Sequence, residues 1–375
     1  MYTKSAVSHL QSFVVDCLGH GTYDRNGFHQ WARSNEDLMG ERFWYRRETG
    51  MPPIYSLVSP SFHPELPLVM FNYTPGAHNN LHKYPEGWTD PIRLCRGIVF
   101  DFEGRLVALP FPKFFNYGEH PETRELPNEP FEATVKMDGH LGIIFKYQGK
   151  LLLTTRGFFT SKTAVLGNRM LAEIASANGW LSPGGFPDDL TCLVEIIHPT
   201  TRVHTDYNQE GFVLIGGYNH RNFHDFDYAG LRLIGEQLGL PVCERWQGES
   251  IAELFALVND PTMTGQEGFV ARFASGLRVK FKFRSYIAKM VESKLSYTYL
   301  MQRFLSGNLQ QMLGVLPEEV HEVATSMAGE ILIAASVPGS AQDKWRSLYQ
   351  LEPNDRSSVY FRTICREFAR KICGA

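Results

Sequence analysis

Lys136, Asp138 and Gly139 form a K-x-D-G string near the middle of the chain, and this string could carry covalent chemistry. A lysine amine becomes a nucleophile only after it loses its proton, and an unperturbed ammonium has a pKa of about 10.4. Partial burial and nearby cations lower that pKa because both disfavour the charged form. Lys280 and Lys282 are candidate cations much later in the chain. Alone, K-x-D-G is more often a surface turn than an active site.

Apolar, β-prone residues flank this string on both sides, between Phe131 and Gly157. Gln148-Gly149 predicts a hairpin turn within the second flank. We therefore expect Lys136 at the end of a strand, with a sharp backbone turn at Gly139.

Two further charged residues precede the string. Arg96 stands before Gly97 at the entrance of a predicted hairpin, CRGIVFD followed by a turn and RLVA. An arginine before a strand is usually a surface residue, yet its planar guanidinium also suits phosphate. Lys113 is followed by Phe114 and Phe115. Adjacent side chains point to different sides, so at least one ring could line a pocket beside Lys113.

Charged residues also interrupt two later strands. Glu195 is the single charge in the predicted strand LTCLVEII, where a carboxylate is costly unless something pairs with it. The structural alternative is a glutamate at a strand end paired with a core arginine. Lys280 and Lys282 are two residues apart, so they face the same side of their strand. Two cations on one face repel each other, which favours either a solvated face or a bound anion.

Composition is ordinary for a globular protein, and it excludes several classes. A formal net charge of −3 gives no global basic field, so any polyanion site must be a local groove. The six cysteines form no CxxC pair, which argues against structural zinc and a disulfide scaffold and favours a reducing cytoplasm. No apolar run approaches the roughly 20 residues of a membrane helix, and we identify no secretory signal. We expect a soluble cytoplasmic protein.

The elements predicted along the chain indicate a first part of helices and strands, followed by a helical C-terminal part. A helix is expected near the N-terminus, followed by the aromatic, Arg-rich stretch 42–47, which is either an RNA-binding or a structural segment. The twenty residues after Tyr73 read as a loop; His78 and His82 have metal-ligand spacing there but lack a third ligand. The predicted strands are 68–73, 190–197, 212–218, 266–272 and 277–283; the predicted helices are 161–178, 227–238, 250–259, 286–305, one from Pro317, and 358–373. The basic side of the last helix, Arg362, Arg366, Arg370 and Lys371, could face RNA or complement the helix dipole.

The landmarks in order are Arg96-Gly97, Lys113-Phe114-Phe115-Asn116, Lys136-x-Asp138-Gly139, Glu195, Glu267-Gly268 and Lys280-x-Lys282. This order resembles the covalent nucleotidyltransferases, which comprise ATP-dependent ligases and capping enzymes. CRGIVFD followed by PFPKFFNYGE, together with VEIIHPTTRVHTDY, is similar to the bacteriophage-type RNA ligase 1 family. The likeness covers about residues 68–283.

The resemblance implies an α+β fold. An antiparallel-sheet nucleotidyltransferase (adenylation) domain would occupy 1–283, including an N-terminal extension of about 1–65, and an all-helical C-terminal domain would occupy 284–375. It also implies an ATP-dependent RNA ligase in RNA repair, with cleaved tRNA as one expected substrate. We expect a monomer, although the sequence does not determine the oligomeric state. Lys136 would attack the α-phosphate of ATP to form a lysyl–AMP, the AMP would pass to an RNA 5′-phosphate, and a 3′-hydroxyl would then displace it.

The resemblance assigns the remaining site residues as well. Glu195 would bind the nucleotide ribose, and Glu267 would hold the catalytic metal, Mg²⁺ with Mn²⁺ as a substitute. Lys280 and Lys282 would contact the α-phosphate and stabilise charge there. The other nucleotide-binding residues would be Arg96, Lys113, Phe115, Asp138, Gly139 and Arg156. Arg156 stands where the family can carry a lysine, which changes the hydrogen-bond geometry.

Two alternatives remain. One is a DNA ligase or an mRNA guanylyltransferase on the same scaffold, but those enzymes typically continue into a β-rich domain, whereas the sequence after Phe283 reads as helical. The other is an inactive RNA-binding protein. The presence of all the charged landmarks argues against it, because a decayed site should have lost at least one of them.

Overall fold

The computed structural model describes residues 4–21, 23–292, 295–313, 318–352 and 359–374, and the chain forms two compact units. The first unit contains Met1–Gly248 and Glu267–Phe281, and the second contains Glu249–Gln266 and Lys282–Ala375. The sequence predicted a single domain boundary after Phe283. The two compact units are instead discontinuous in sequence, because residues 249–266 belong with the helical C-terminal part.

The first unit begins with helices that cover an antiparallel sheet. The helices are α1 (Lys4–Leu18), α2 (Arg25–Ser34), α3 (Glu36–Arg42), α4 (Pro75–Asn80) and α5 (Asp90–Leu94), and the strands are β1 (Val58–Phe62), β2 (Leu68–Tyr73), β3 (Arg96–Asp101) and β4 (Leu106–Ala108). The strand order is β1-β2-β3-β4. The predicted N-terminal helix is confirmed, and residues such as Val7, Leu10 and Val14 bury its apolar face.

Two more sheets complete this unit and carry the landmark residues. Their strands are β5 (Phe115–Asn116), β6 (Phe131–Lys136), β7 (His140–Tyr147), β8 (Lys150–Thr155), β9 (Leu190–Ile197), β10 (Gly211–Asn219), β11 (His224–Asp225), β12 (Gly268–Phe273) and β13 (Arg278–Lys282), with helices α6 (Lys162–Ala177) and α7 (Tyr228–Leu238). One sheet has the order β11-β10-β9-β7-β8, and the other has the order β5-β13-β12-β6. Lys136 therefore ends a strand of one sheet, and His140 begins a strand of the other.

The predicted loop after Tyr73 is wrong in part, because the chain forms the short helices α4 and α5 there. The Thr74 hydroxyl accepts a hydrogen bond from the Ala77 N–H and caps α4, and Pro75 occupies the first turn. A capping threonine and a proline were present in the sequence, but the Gly, Asn and His content led to the prediction of a loop.

The second unit is helical, as predicted. Its helices are α8 (Ile251–Asn259), α9 (Arg284–Glu292), α10 (Tyr297–Leu305), α11 (Leu309–Leu313), α12 (Glu318–Ala335), α13 (Ala341–Leu348) and α14 (Val359–Ile372). The single predicted helix 286–305 is two helices, since Ser296 caps α10 by accepting a hydrogen bond from the Tyr299 N–H. Helices were predicted to begin at Pro317 and at residue 358, and both positions lie outside the described residues.

The core of the second unit contains Met301, Phe361, Cys365 and Phe368. No helix within the described ranges is both long enough and apolar enough to cross a bilayer.

Most cations of the last helix contact aromatic rings within the second unit. The Arg366 guanidinium lies 5.2 Å from the ring centroid of Trp345, and the Arg362 guanidinium lies 5.6 Å from that of Tyr349. Lys371 donates a hydrogen bond to the Leu305 carbonyl. These contacts give three of the four predicted basic residues a structural role in packing, in addition to their charge at the helix C-terminus.

Candidate active site

The Lys136 ammonium forms an ion pair with the Glu267 carboxylate at 2.5 Å. Antiparallel pairing of β6 with β12 sets Lys136 opposite Gly268, which brings the preceding residue, Glu267, to the lysine. Glu267 is only 4% exposed. The sequence predicted cations around this lysine, and the structure adds a carboxylate in direct contact. Glu267 is thus placed to accept the proton that must leave before Lys136 can attack.

Gly139 is needed for close approach rather than for a left-handed turn. Its φ is not in the left-handed region that several other glycines adopt. A Cβ at this position would instead lie 2.5 Å from the backbone oxygen of Ile196 and 3.1 Å from Cγ of Glu195. The sharp turn expected at Gly139 is therefore a crossing between two sheets that leaves no room for a side chain.

Asp138 is buried and holds the backbone of a distant segment. Its Oδ2 accepts hydrogen bonds from the backbone N–H groups of His204 at 3.0 Å and Thr205 at 2.6 Å. Its own backbone N–H donates to the Tyr207 hydroxyl at 2.8 Å. Asp138 thus anchors the turn that carries Lys136.

Glu195 lies beside the same turn. Strand β9 pairs with β7, and Oε1 of Glu195 accepts a hydrogen bond from the Gly139 N–H at 3.0 Å. Burial raises the pKa of Glu195 to about 7, although the Lys136 ammonium opposes that rise and the Glu267 carboxylate adds to it. The carboxylate thus faces the candidate site. Among the described residues no arginine pairs with it directly, although the charge of Arg96 acts on it.

We expect Glu195→Gln to stabilise the protein at pH 8 and to change its stability little at pH 4. The folded-state pKa of Glu195, about 7, lies above its ordinary value of 4.5, so the folded protein binds more protons between these values. Stability is then lost as pH rises through the folded pKa, by at most about 3 kcal/mol for a shift of this size. The uncharged amide of the variant would show no such loss. Urea unfolding of both proteins at pH 4, 6 and 8 measures the difference, and a gap that stays constant with pH would contradict the prediction.

A backbone bulge at Gly97 directs Arg96 toward the site. The pairing of β2 with β3 shifts register at this point, and Gly97 has φ +101°. The Arg96 guanidinium lies 5.9 Å from the ring centroid of Phe114. The positive φ favours glycine, and a Cβ there would also lie 2.5 Å from Cδ1 of Ile143, so that this side chain would have to move.

Lys113 is buried, with its ammonium 3.5 Å from the Glu119 carboxylate and 4.6 Å from the ring centroid of Phe115. The opposing charge of Lys113 and a hydrogen bond from the Asn116 N–H hold the pKa of Glu119 below its ordinary value despite burial. Phe115 itself is 2% exposed and stacks on His120 at 4.2 Å. Packing inside the protein thus occupies the ring of Phe115, and nucleotide binding by this residue stays a prediction.

Lys280 joins these cations from β13. Its ammonium donates a hydrogen bond to the Phe114 carbonyl at 2.9 Å and lies 4.5 Å from the Phe114 ring centroid. Burial lowers the pKa of Lys280 well below its ordinary value, and the charges of Lys113, Arg96 and Lys136 lower it further. We call Arg96, Lys113, Lys136 and Lys280 the cation cluster. Such a group of like charges is costly alone and suits a polyanion such as a polyphosphate.

Two other predicted cations, Arg156 and Lys282, contact tyrosine side chains. Arg156 is exposed, and its guanidinium donates to the Tyr73 hydroxyl at 3.0 Å. Lys282 is the first residue of the second unit's C-terminal part, and its ammonium lies 5.2 Å from the Tyr286 ring centroid. Partial burial lowers the pKa of His78, and the charges of Lys113, Arg156 and Lys280 lower it further.

The Arg-rich N-terminal stretch is mainly structural. Phe43 and Tyr45 are buried, and Arg42 pairs with Asp16 at 2.9 Å. Arg47 pairs with Glu36 at 3.2 Å. The stretch therefore packs the N-terminal helices together, which favours the structural interpretation of this sequence pattern over RNA binding.

A sequence model of the RNA ligase family matches residues 94–290, slightly more than half of the 375 residues. The chain belongs to the RNA ligase family. The match begins two residues before Arg96 and extends past Lys282, so it contains every landmark named above.

The individual relatives cover between 43% and 74% of the chain. A Thermovibrio ammonificans protein named "Putative RNA ligase" is 30% identical over 196 residues, which are 50% of this chain and 49% of that protein. The chain thus spans about half the length of this curated relative. An archaeal ATP-dependent RNA ligase structure is similar over 74% of this chain and 77% of its own, with 17% identity and a TM-score of 0.46. A Naegleria gruberi RNA ligase structure with pyrophosphate aligns with 43% of this chain and 51% of its own, with 17% identity and a TM-score of 0.35.

Sequence reasoning missed Glu119 and Tyr207 as residues that shape the site of this RNA ligase family member, and it did not choose between Phe114 and Phe115 as the ring beside the cations. Phe114 and Glu119 hold Lys280 and Lys113, and Tyr207 holds the turn after Lys136. All three stand in the segments PFPKFFNYGE and VEIIHPTTRVHTDY that carry the family likeness. That likeness was the available signal, since neither spacing nor periodicity distinguishes them from packing residues.

Proposed function

We propose that this protein is an ATP-dependent RNA ligase that joins RNA 5′-phosphate and 3′-hydroxyl ends through a lysyl–AMP and an RNA-adenylate. The observation that carries the proposal is the position of Lys136, in contact with Glu267 and within the cation cluster of a chain of the RNA ligase family. These groups supply a nucleophile, a proton acceptor and an anion site in one place.

In the first step, the Lys136 amine loses a proton and attacks the α-phosphorus of ATP. A P–N bond forms, the bond from the α-phosphorus to the bridging oxygen breaks, and pyrophosphate leaves with the electron pair. Arg96, Lys113 and Lys280 would stabilise the negative charge that develops on the phosphate oxygens. Glu195 would accept a hydrogen bond from the ribose, which agrees with its location beside the turn.

In the second step, an RNA 5′-phosphate oxygen attacks the same phosphorus, the P–N bond breaks, and the lysine recovers a proton. In the third step, the RNA 3′-hydroxyl attacks the 5′-phosphate, a phosphodiester forms, and AMP leaves. Lys136 takes part in bond making or breaking only in the first two steps. The third step depends on the cations that hold the RNA-adenylate.

The residues present fit a divalent metal that takes most of its ligands from phosphate and water. No group of three or more acidic, His or Cys side chains in the described part of the chain could hold a metal by itself. Mg²⁺ needs only one or two carboxylates beside substrate phosphates, so Glu267 would hold it, with Mn²⁺ as a substitute. When bound, the metal would neutralise charge on the reacting phosphates.

Further parts of the proposal rest on the family resemblance. Lys282 would contact the α-phosphate together with Lys280, and Asp138, Gly139 and Arg156 would border the nucleotide. Residues 1–283 would form the adenylation domain and 284–375 an accessory helical domain. Action as a monomer in the cytoplasm, in the repair of cleaved tRNA and in a phage setting, stays a prediction.

Intact-protein mass after incubation with ATP, Mg²⁺ and pyrophosphatase tests the function directly. We expect a mass gain of one AMP, which is lost when RNA carrying a 5′-phosphate is added and kept when RNA carrying a 5′-hydroxyl is added. A gain with GTP alone would indicate a guanylyltransferase. Faster sealing of nicked DNA than of single-stranded RNA would indicate a DNA ligase. If the protein is folded and not already adenylylated, yet gains no nucleotide, the result would support the alternative of an inactive RNA-binding protein.

A further inference from the structure

The turn from Lys136 to Gly139 connects two different sheets, and a segment that follows β9 holds it. Lys136 belongs to the sheet of β5, β13, β12 and β6, whereas His140 begins β7 in the neighbouring sheet. The position of the Lys136 amine relative to Glu195 therefore depends on this connection. We call residues 201–207 the turn clamp.

The turn clamp makes hydrogen bonds to residues on either side of Gly139. The Tyr207 hydroxyl accepts from the Asp138 N–H at 2.8 Å, and the N–H groups of His204 and Thr205 donate to the Asp138 carboxylate. The His140 ring nitrogen Nε2 lies 3.0 Å from the Thr201 carbonyl. Bonds from one short segment to both Asp138 and His140 fix the crossing at two points.

Tyr207 is the part of the turn clamp in which a side chain holds the backbone. Its ring packs with Met137 against a small cluster that contains Ile197 and Val213, so the middle of K-x-D-G and the phenol share one packing site. Burial raises the pKa of Tyr207 to about 12, and the nearby carboxylates of Asp138, Glu195 and Glu267 also raise it. The phenol thus stays neutral across the working range of pH.

We propose that Tyr207 is a positioning residue, which holds the Asp138 N–H so that the Lys136 amine is aligned with the α-phosphate. The proposal rests on the proposed function, in which Lys136 is the nucleophile. Tyr207 touches neither ATP nor RNA in this role. It acts through the backbone of the turn, and it is required in the two steps that make or break the bond to Lys136 and dispensable in the third.

Tyr207→Phe tests the role with little change in packing, since only the hydroxyl is removed. We expect the single-turnover rate of adenylylation at saturating ATP to fall by about 10- to 100-fold, because displacements of about 1 Å can cost that much. Sealing of RNA that is already adenylated should stay within about threefold of the unmodified protein. Transfer of AMP from the enzyme to RNA should be slowed as adenylylation is, because it breaks the bond to Lys136.

Tyr45→Phe is the matched control. Tyr45 is a tyrosine of the first unit, more buried than Tyr207, and its hydroxyl donates to the Pro52 carbonyl at 2.8 Å. We expect a similar change in Tm and an unchanged rate of adenylylation. If Tyr207→Phe adenylylates as fast as Tyr45→Phe, or slows all three steps equally, the positioning role is wrong. If the unmodified protein forms no AMP adduct and seals no adenylated RNA, the proposed function fails instead.

A double variant checks that Tyr207 acts through Asp138. Asp138→Asn weakens the bonds from His204 and Thr205, which hold the same turn. If both residues position one element, the double variant should be slowed by clearly less than the product of the single effects. Effects that multiply would show independent roles and would overturn the shared mechanism.

Discussion

Lys136→Ala is expected to eliminate the AMP adduct, because the proposed function makes the P–N bond of that adduct with the Lys136 amine. Ligation of RNA with a free 5′-phosphate should fall by about four orders of magnitude or more, as is usual when a covalent nucleophile is removed. Sealing of RNA that is already adenylated should persist, because that step makes no bond to the lysine. Intact-protein mass and gel assays of both RNA substrates measure the two outcomes.

The same substitution should lower Tm, because Glu267 is 4% exposed and would lose the ammonium 2.5 Å away. Removing one partner of a buried pair leaves the other charge uncompensated. Assays therefore belong well below the Tm of the variant. Lys150→Ala, at an exposed lysine of the β7–β8 hairpin, is the control and should behave as the unmodified protein does. An adduct of normal yield in Lys136→Ala would place the nucleophile elsewhere.

Lys280→Met should separate activity from stability. We expect adenylylation to slow by about 10²- to 10³-fold, the usual cost of removing one group that stabilises developing charge. Tm should not fall, although the Phe114 carbonyl loses a donor, because the buried ammonium sits among like charges. Methionine retains much of the apolar stem without the charge. Single-turnover adenylylation and thermal unfolding at pH 7 measure both, with Lys150→Met as the matched control.

The pH dependence of that stability difference has a definite sign. The folded-state pKa of Lys280 lies below its unfolded value, so the unfolded chain binds more protons between the two. Stability of the unmodified protein therefore rises as pH increases through the lowered pKa. The advantage of Lys280→Met should be largest at low pH and shrink above that pKa. A variant that is fully active, or one whose Tm falls sharply at every pH, would show that Lys280 is a packing residue.

Much of the secondary structure could be predicted from the sequence because local signals and tertiary structure agree. Alternating and continuous apolar runs predicted the strands around Lys136 and Glu195, and Ser161, Asp227 and Ser250 cap helices where expected. The helical character after Phe283 was also readable. Errors occurred where several weak signals compete over few residues, as in the stretch after Tyr73 that contains α4 and α5.

Side-chain partners could not be read in the same way. Phe114 and Phe115 are adjacent and chemically identical, yet only the structure shows that Phe115 stacks on His120 while Phe114 lies between Arg96 and Lys280. The parallel pairing of β5 with β13, which sets Phe115 beside Val279, decides this. Residues 249–266 likewise join the second unit through packing that their own helical pattern does not reveal.

The sequence by itself determined which residues are candidates for the proposed chemistry, because K-x-D-G, Glu195, Glu267 and K-x-K are residue types in a fixed order. Only the tertiary structure decided how they meet. It placed Glu267 on Lys136, lowered the pKa of Lys280 by burying it and by placing other cations near it, and brought Tyr207 back to Asp138. The physical reason is that these contacts depend on the register and crossing of two sheets, which bring together residues far apart in the chain.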